Sequence, residues 1–309
     1  MPSYVFGPVP SRRLGRSLGV DLVPFKTCTY DCIYCQLGRT TQKTIERKEW
    51  FPLKDIFRQI QEKLSTELDY ITLSGSGEPT LYSRIGELIA EIKSMTKVPV
   101  AVLTNGSLFW DKEVRASLME ADLVMPSLDA GEEELFRYIN RPHDSISFDQ
   151  LVKGLLRFRN EYPGQYWLEV FLLGVTTPLN KIKKIAEITK QINPDRVQLN
   201  TVNRPPAEEY ATPIPDELMQ HYPEIFGGNV EVIADYRGTH QQEQFASPRR
   251  DVLDLLRRRP CSVEDIAQGL GMHRNEVVKY VTELVKQGKL NYELHNRKLY
   301  YKYCFAHGE

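Results

Sequence analysis

Between Leu18 and Thr201 one theme repeats six times: a short β-branched or aliphatic run, a turn, then a segment with helical periodicity. The runs are Leu18 to Val23, Tyr70 to Ser74, Val98 to Leu103, Asp122 to Leu128, Tyr166 to Val175 and Arg196 to Thr201. Helical candidates between them are Leu53 to Leu68, Ser83 to Thr96, Lys112 to Glu120, Glu132 to Ile139 with Phe148 to Asn160, and Leu179 to Ile192. Such alternation predicts an α/β fold, a parallel sheet joined by right-handed helical crossovers. Six units predict a partial (β/α)6 TIM-like barrel rather than a closed eight-unit one. Ligands of parallel α/β folds sit beyond the C-terminal ends of the strands, so the residues just after each strand are where chemistry is expected.

The regularity fails after Thr201. Asn203 to Pro215 holds four prolines, and the polar stretch Asp235 to Pro248, with Gln241, Gln242 and Gln244, reads as a linker. Beyond it the pattern predicts helix Arg249 to Arg258, Ser262 capping a helix over Val263 to Gly269, a helix over Met272 to Gln287, and a hairpin over Lys289 to Tyr303 broken at His295 and Asn296. Three helices and a hairpin in that order predict a small C-terminal winged-helix domain. The expected division is a barrel over residues 1–235, a linker over 236–247 and a winged helix over 248–309. Each part has apolar positions for its own core, so the barrel is expected to fold alone.

The chain carries 40 basic and 41 acidic side chains, a balance that excludes a globally basic nucleic-acid binder. From Ala246 onward, however, 12 Lys and Arg stand against 8 Asp and Glu. His273, Arg274 and Asn275 open the third C-terminal helix, Lys279 and Lys286 follow along it, and Arg297 and Lys298 lie on the hairpin. That suits phosphate and base contacts, although winged helices also bind peptides and proteins. The longest apolar stretches, Val98 to Leu103 and Trp167 to Val175, fall far short of the ~20 residues of a membrane span. Met1 to Pro10 shows no secretory pattern, so no membrane association and a cytoplasmic location are expected.

Cys28, Cys32 and Cys35 form a C-x3-C-x2-C cluster immediately after the first proposed strand. An odd total of five cysteines with three crowded together argues for metal or cluster binding over a disulfide framework. Three thiolates on an iron–sulfur cubane leave one iron open to a ligand. A zinc site or buried core thiols are the alternatives. The first histidine in the chain is the distant His143, which weakens the zinc alternative.

The segment CTYDCIYC, with Tyr34 beside Cys35, resembles the cluster loop of the radical S-adenosylmethionine (SAM) superfamily. The resemblance implies a [4Fe-4S] cluster held by Cys28, Cys32 and Cys35, SAM on the open iron, and an electron donor such as flavodoxin or ferredoxin. Reductive cleavage of SAM would then give a 5′-deoxyadenosyl radical that abstracts hydrogen from substrate. Tyr34 would contact adenine. Gly75-Ser76-Gly77-Glu78 resembles the GGE-type motif that binds the methionyl amino group, with Ser76 in place of a glycine and Glu78 as an acceptor for the ammonium. Leu103-Thr104-Asn105-Gly106 and Pro126-Ser127-Leu128-Asp129 resemble pocket-lining segments, which implies cofactor contacts by Asn105, Ser127 and Asp129. A turn at Asn105-Gly106 and a helix cap at Asp129 are their plainer readings.

Gln198 and Asn200 share one strand face and are candidates to face substrate or adenine, and Arg12, Arg13 and Arg16 are candidates to grip a phosphate or carboxylate. Over residues 5–201 the motif order, GSGEPTLY then LTNG then SLDAGEEELFRYINRP, is similar to radical SAM enzymes related to tRNA wybutosine synthesis. Outside the cluster loop only Cys261 and Cys304 remain, so a second barrel cluster cannot be assembled. The expected function is radical modification of a nucleic acid, tRNA first, recruited by the winged helix. Radical modification of a peptide or protein, and a non-catalytic redox sensor that binds DNA, are the rivals.

Overall fold

The computed structural model describes residues 3–11, 13–64, 67–174, 176–233, 249–270, 272, 274–296 and 298–304. Arg12, His273, Arg297 and the proposed linker over 236–247 therefore lie outside the described residues.

The strands are β1 (Val5–Ser11), β2 (Gly15–Val20), β3 (Thr27–Cys28), β4 (Gln42–Lys43), β5 (Tyr70–Leu73), β6 (Val100–Leu103), β7 (Leu123–Met125), β8 (Gln165–Phe171), β9 (Arg196–Asn200), β10 (Val230–Val232), β11 (Leu290–His295) and β12 (Lys298–Tyr303). The helices are α1 (Leu53–Lys63), α2 (Ile85–Met95), α3 (Lys112–Ser117), α4 (Glu133–Asn140), α5 (Phe148–Glu161), α6 (Leu179–Ile192), α7 (Asp216–Met219), α8 (Pro223–Phe226), α9 (Arg249–Arg258), α10 (Val263–Gly269) and α11 (Arg274–Lys286).

One eight-stranded sheet runs β1-β2-β5-β6-β7-β8-β9-β10, parallel throughout except for the antiparallel β1–β2 pair. All six strands expected from the sequence are present as β2 and β5 to β9, with most limits shorter: the first begins at Gly15 and ends at Val20 instead of Val23, and the fourth is confined to Leu123–Met125. Two strands of this sheet were not expected, nor was the separate two-residue pair β3–β4. β1 carries Pro8 and Pro10, which argue against a central strand but are tolerated on the edge where β1 lies. β10 is three residues long, too short to show a pattern.

The central strands bury both faces: Ile71, Val100, Val102 and Val124 on one side belong to the main core under the helices, and Ala101, Leu123 and Met125 on the other form a separate apolar cluster. α5 begins at a reciprocal cap in which the Ser147 hydroxyl accepts from Gln150 N and the Gln150 side chain accepts from Ser147 N. Its buried Leu151, Leu155 and Phe158 recur at helical spacing and face the core.

The C-terminal elements follow the expected order: α9, then α10 with the same reciprocal cap at Ser262 and Asp265, then α11 and the β11–β12 hairpin. Val252, Leu255, Leu256, Ile266, Val277, Val281 and Leu284 form a second apolar cluster, and Val9 of β1 belongs to it while Val5 belongs to the main core. The edge strand β1 is therefore shared, and α9 is held against the sheet by it.

Candidate functional site

A cavity of about 390 Å³ opens at the C-terminal ends of the strands. Cys28, Cys32 and Cys35 all line it, together with Tyr34 and Gly75 to Gly77. Two loops build this wall and are joined through their backbones. Lys26 N donates to Ser76 O at 2.6 Å, Glu78 N donates to Thr27 O at 3.1 Å, and Thr27 pairs with Gly77 as an isolated bridge. Glycine is required at both ends of the turn. A Cβ on Gly77 would lie 1.8 Å from Thr27 O, and Gly75 has φ +115° with a Cβ position 2.0 Å from Asp21 Oδ1. Ser76, which departs from the usual glycine pair, uses its hydroxyl: Ser76 N and Oγ both donate to Asp21 Oδ1, at 2.8 and 2.9 Å.

Asp21 is in turn clamped from the C-terminal segment. Arg258 Nε donates to Asp21 Oδ2 at 2.7 Å, with both side chains at least nine-tenths buried. The same guanidinium donates to Asp254 O at 2.5 Å and Ser3 O at 3.1 Å, and its plane lies 4.3 Å from the Phe6 ring centroid. The Gly75–Gly77 turn is thus positioned through Asp21 by a residue 237 positions from that aspartate, and Leu255, Arg258 and Arg259 complete the cavity wall. No signal in a single sequence announces this contact.

Glu78 does not line the cavity. Its buried carboxylate caps the turn Pro79–Leu81 and gathers the next loop, with Oε1 accepting from Thr80 N (3.0 Å), Thr80 Oγ1 (2.6 Å) and Thr104 Oγ1 (2.5 Å) and Oε2 from Asn105 N (2.8 Å). Burial raises its pKa, and these four donors counter the rise. Glu78→Ala would leave the donors without an acceptor, at about 1–3 kcal/mol for each that finds no water. The expected result is a fall of several kcal/mol in unfolding free energy by denaturant titration. An unchanged midpoint would show that the carboxylate organises nothing.

Asn105 also stays off the cavity surface and supports the cysteine loop, its Nδ2 lying 2.7 Å from Thr29 Oγ1 and 3.7 Å from Cys28 Sγ. Asp129 is the centre of a second network. Its carboxylate accepts from Tyr34 Oη, from Asn140 Nδ2 at 2.7 Å and from Phe171 N at 3.0 Å, and burial lifts it to about 6 against the pull of those donors. Asn140 Nδ2 also lies 3.5 Å from Cys32 Sγ. Tyr34 is stacked on Phe171 with centroids 4.0 Å apart and planes 10° from parallel, so both ring and hydroxyl are fixed.

Ser127 pairs with Glu169 as an isolated bridge and does not line the cavity. Asn200 does line it and donates to Glu169 Oε1 at 2.9 Å, whereas Gln198 turns to Glu231 at 3.3 Å. Of the N-terminal arginines, Arg13 lines the cavity, paired with Glu169 at 2.7 Å, while Arg16 pairs with Glu67 outside it. Phe171, Asn140, Glu169 and Asp21 belong to the site and went unread in the sequence.

The family model for the radical SAM superfamily matches residues 22–187. The chain belongs to the radical SAM superfamily. It is 34% identical over 309 residues to a UPF0026 protein of Methanocaldococcus jannaschii, covering 97% of this chain and 95% of that protein. It is 40% identical over 303 residues to a protein of Brachyspira hyodysenteriae named GTPase Obg, covering 96% of this chain and 45% of that one, so it spans less than half the length of that relative. Among solved structures, a radical SAM methyltransferase from Sphaerobacter thermophilus has a TM-score of 0.54 at 16% identity, covering 70% of this chain and 65% of that chain, which is a likeness of fold.

The superfamily's cofactors are SAM and a [4Fe-4S] cluster, and the donor set suits them. Among the described residues no three Cys, His, Asp or Glu side chains are grouped tightly enough to hold one metal ion. Three thiolates of a cubane go to three different irons, so the three thiols need not converge on one point as ligands of a lone zinc must. Burial pushes the Cys28 thiol up to about 12 and the Cys32 and Cys35 thiols up as well, a cost that the positive charge of a bound iron–sulfur cluster's metal ions would offset. The amides of Asn105 and Asn140 are directed at two of the sulfurs, as hydrogen bonds to cluster ligands require. Tyr30 Oη, in a residue lining the cavity, is buried with no partner among the described residues.

Proposed function

We propose that this protein is a radical SAM enzyme that modifies a nucleic acid, with tRNA as the leading substrate. One observation carries the reading: the three thiols and the Gly75–Gly77 turn are zipped together on one cavity wall. When bound, cluster and SAM supply a 5′-deoxyadenosyl radical on one-electron reduction by a donor such as flavodoxin or ferredoxin. Cys28, Cys32 and Cys35 would hold the cluster. Gly75 to Gly77 would offer backbone groups to the methionyl end of SAM, and Tyr34, immobilised by Phe171 and Asp129, would flank the adenine. Glu78 and Asn105 act one layer back, fixing the loops that carry those contacts. Leu255 and Arg258 line the cavity and narrow the access of water to a reactive radical.

The motif order shared with wybutosine-related enzymes puts tRNA first. Residues 1–235 would form the catalytic part and 248–309 a winged helix, with exposed Arg274, Lys279 and Lys286 on α11 facing phosphates. Arg274 is within 3.1 Å of Glu264, so Lys279 and Lys286 are the stronger candidates. The Gly75–Gly77 turn beside the thiols disfavours a pure redox sensor, which would need no SAM pocket, and a salt-insensitive association would favour a peptide substrate.

Anaerobically reconstituted protein is expected to hold about four irons per chain, the content of one cubane. Iron quantitation with electron paramagnetic resonance checks this. Stoichiometric zinc, or about eight irons, would contradict it.

A further inference from the structure

We propose that Arg204 and Arg259, on the wall of the same cavity, form a receptor for a phosphate group of the substrate. The proposal rests on the radical SAM assignment and adds the chemical class of the group that enters beside the cofactors. Arg204 lies on the loop after β9, and Arg259 directly follows α9, so the pair is assembled from the main sheet and the C-terminal segment. The loop is anchored where Tyr300 Oη donates to Asn203 O at 2.7 Å.

Neither guanidinium has a carboxylate partner within 4.0 Å among the described residues. Among the described residues Arg204 Nη1 reaches the neutral Gln36 Oε1, at 3.2 Å, and its buried Nε has no partner. The polar neighbour of Arg259 is the Cys261 thiol, and the nearest counter-charge is Asp265, which lies beyond 4.0 Å of both guanidinium groups, accepts from Ser262 N at 3.0 Å and offsets their charge only in part. Other enclosed arginines in the chain are paired: Arg115 with Glu161, Arg141 with Glu208, Arg258 with Asp21. Two like charges on one wall are held there at a cost, since burial and then Arg204 itself both disfavour the charge on Arg259. A bound oxyanion removes that cost. Guanidinium forks bind phosphate oxygens in pairs, and two forks with Lys26 on the same cavity match a phosphate better than a carboxylate, which has only two oxygens. A nucleic-acid backbone supplies that group.

Calorimetric titration of inorganic pyrophosphate into the full-length, reconstituted protein, with and without saturating SAM, tests this. Wild type is expected to bind in both conditions. Arg204→Gln and Arg259→Gln should each weaken binding about ten- to a hundredfold, the loss expected for charged hydrogen bonds, and Arg204→Lys should fall between. Arg16→Gln, whose partner Glu67 is outside the cavity, should bind as wild type does. Removing one of two like charges should leave the thermal midpoint at or above the wild-type value, which a structural arginine would not do. Absent binding, an equal loss in Arg16→Gln, or a lowered midpoint in both glutamine variants would overturn the proposal. Displacement by SAM would do so too, because the pair would then serve the cofactor's carboxylate. Failure of SAM itself to bind would count against the radical SAM assignment, while the SAM-free titration would still report on the arginines.

Discussion

Arg258→Ala is expected to destabilise the protein by about 3–5 kcal/mol and to weaken SAM binding together with it. Removing one partner of a buried ion pair leaves the other charge uncompensated, and Asp21 has no second cation to turn to among the described residues. Against a typical total of about 5–15 kcal/mol the loss is large. The effect on the cofactor follows from geometry: Asp21 Oδ1 holds both donors of Ser76, and an Asp21 released from Arg258 is free to turn away from the Gly75–Gly77 turn. Neutralising both partners, as Arg258→Met with Asp21→Asn, should cost less than Arg258→Ala alone, because no charge remains buried. Denaturant titration and SAM affinity measured on the three proteins check the pattern. A stable Arg258→Ala variant with normal SAM affinity would show that the C-terminal helix is a spectator.

This contact also explains what was legible in the sequence and what was not. The strands β5 to β9 and the helices between them could be read because each is decided by local periodicity, and the cysteine loop because its three thiols are neighbours in the chain. Ser262 was recognisable as a cap for the same local reason. Asp129 was read either as a pocket residue or as a helix cap, and its actual partners are Tyr34, Asn140 and Phe171, the first of them 95 residues distant. Such a role is set by which loops the sheet order brings together, and no spacing rule encodes it.

Charge counting had the same limit. The excess of basic residues after Ala246 suggested a cationic outer face, yet Arg258 and Arg259 turn inward onto the cavity. The two arginines are adjacent to the exposed Arg257 in sequence, and only the packing of α9 on β1 separates their fates. β1 was missed because its two prolines mask an edge strand, although that strand joins the two apolar clusters.

The central claim is that Cys28, Cys32 and Cys35 hold a cluster that delivers an electron to SAM. Loss of a single thiolate removes one of the three protein ligands, and no spare cysteine is at hand: Cys261 and Cys304 belong to the C-terminal elements, with Cys261 fully buried there. Cys32→Ser is therefore expected to fall from about four irons per chain to near zero. The fold should survive, because Cys32 contributes one thiol at a cavity wall and is not among the fully buried core residues. The decisive measurement is 5′-deoxyadenosine formed from SAM by the anaerobic, reconstituted protein under a strong reductant. The wild-type chain should produce it slowly even without substrate, and Cys32→Ser should produce none. A wild-type chain that carries its full iron complement, binds SAM and still yields no 5′-deoxyadenosine would contradict the account.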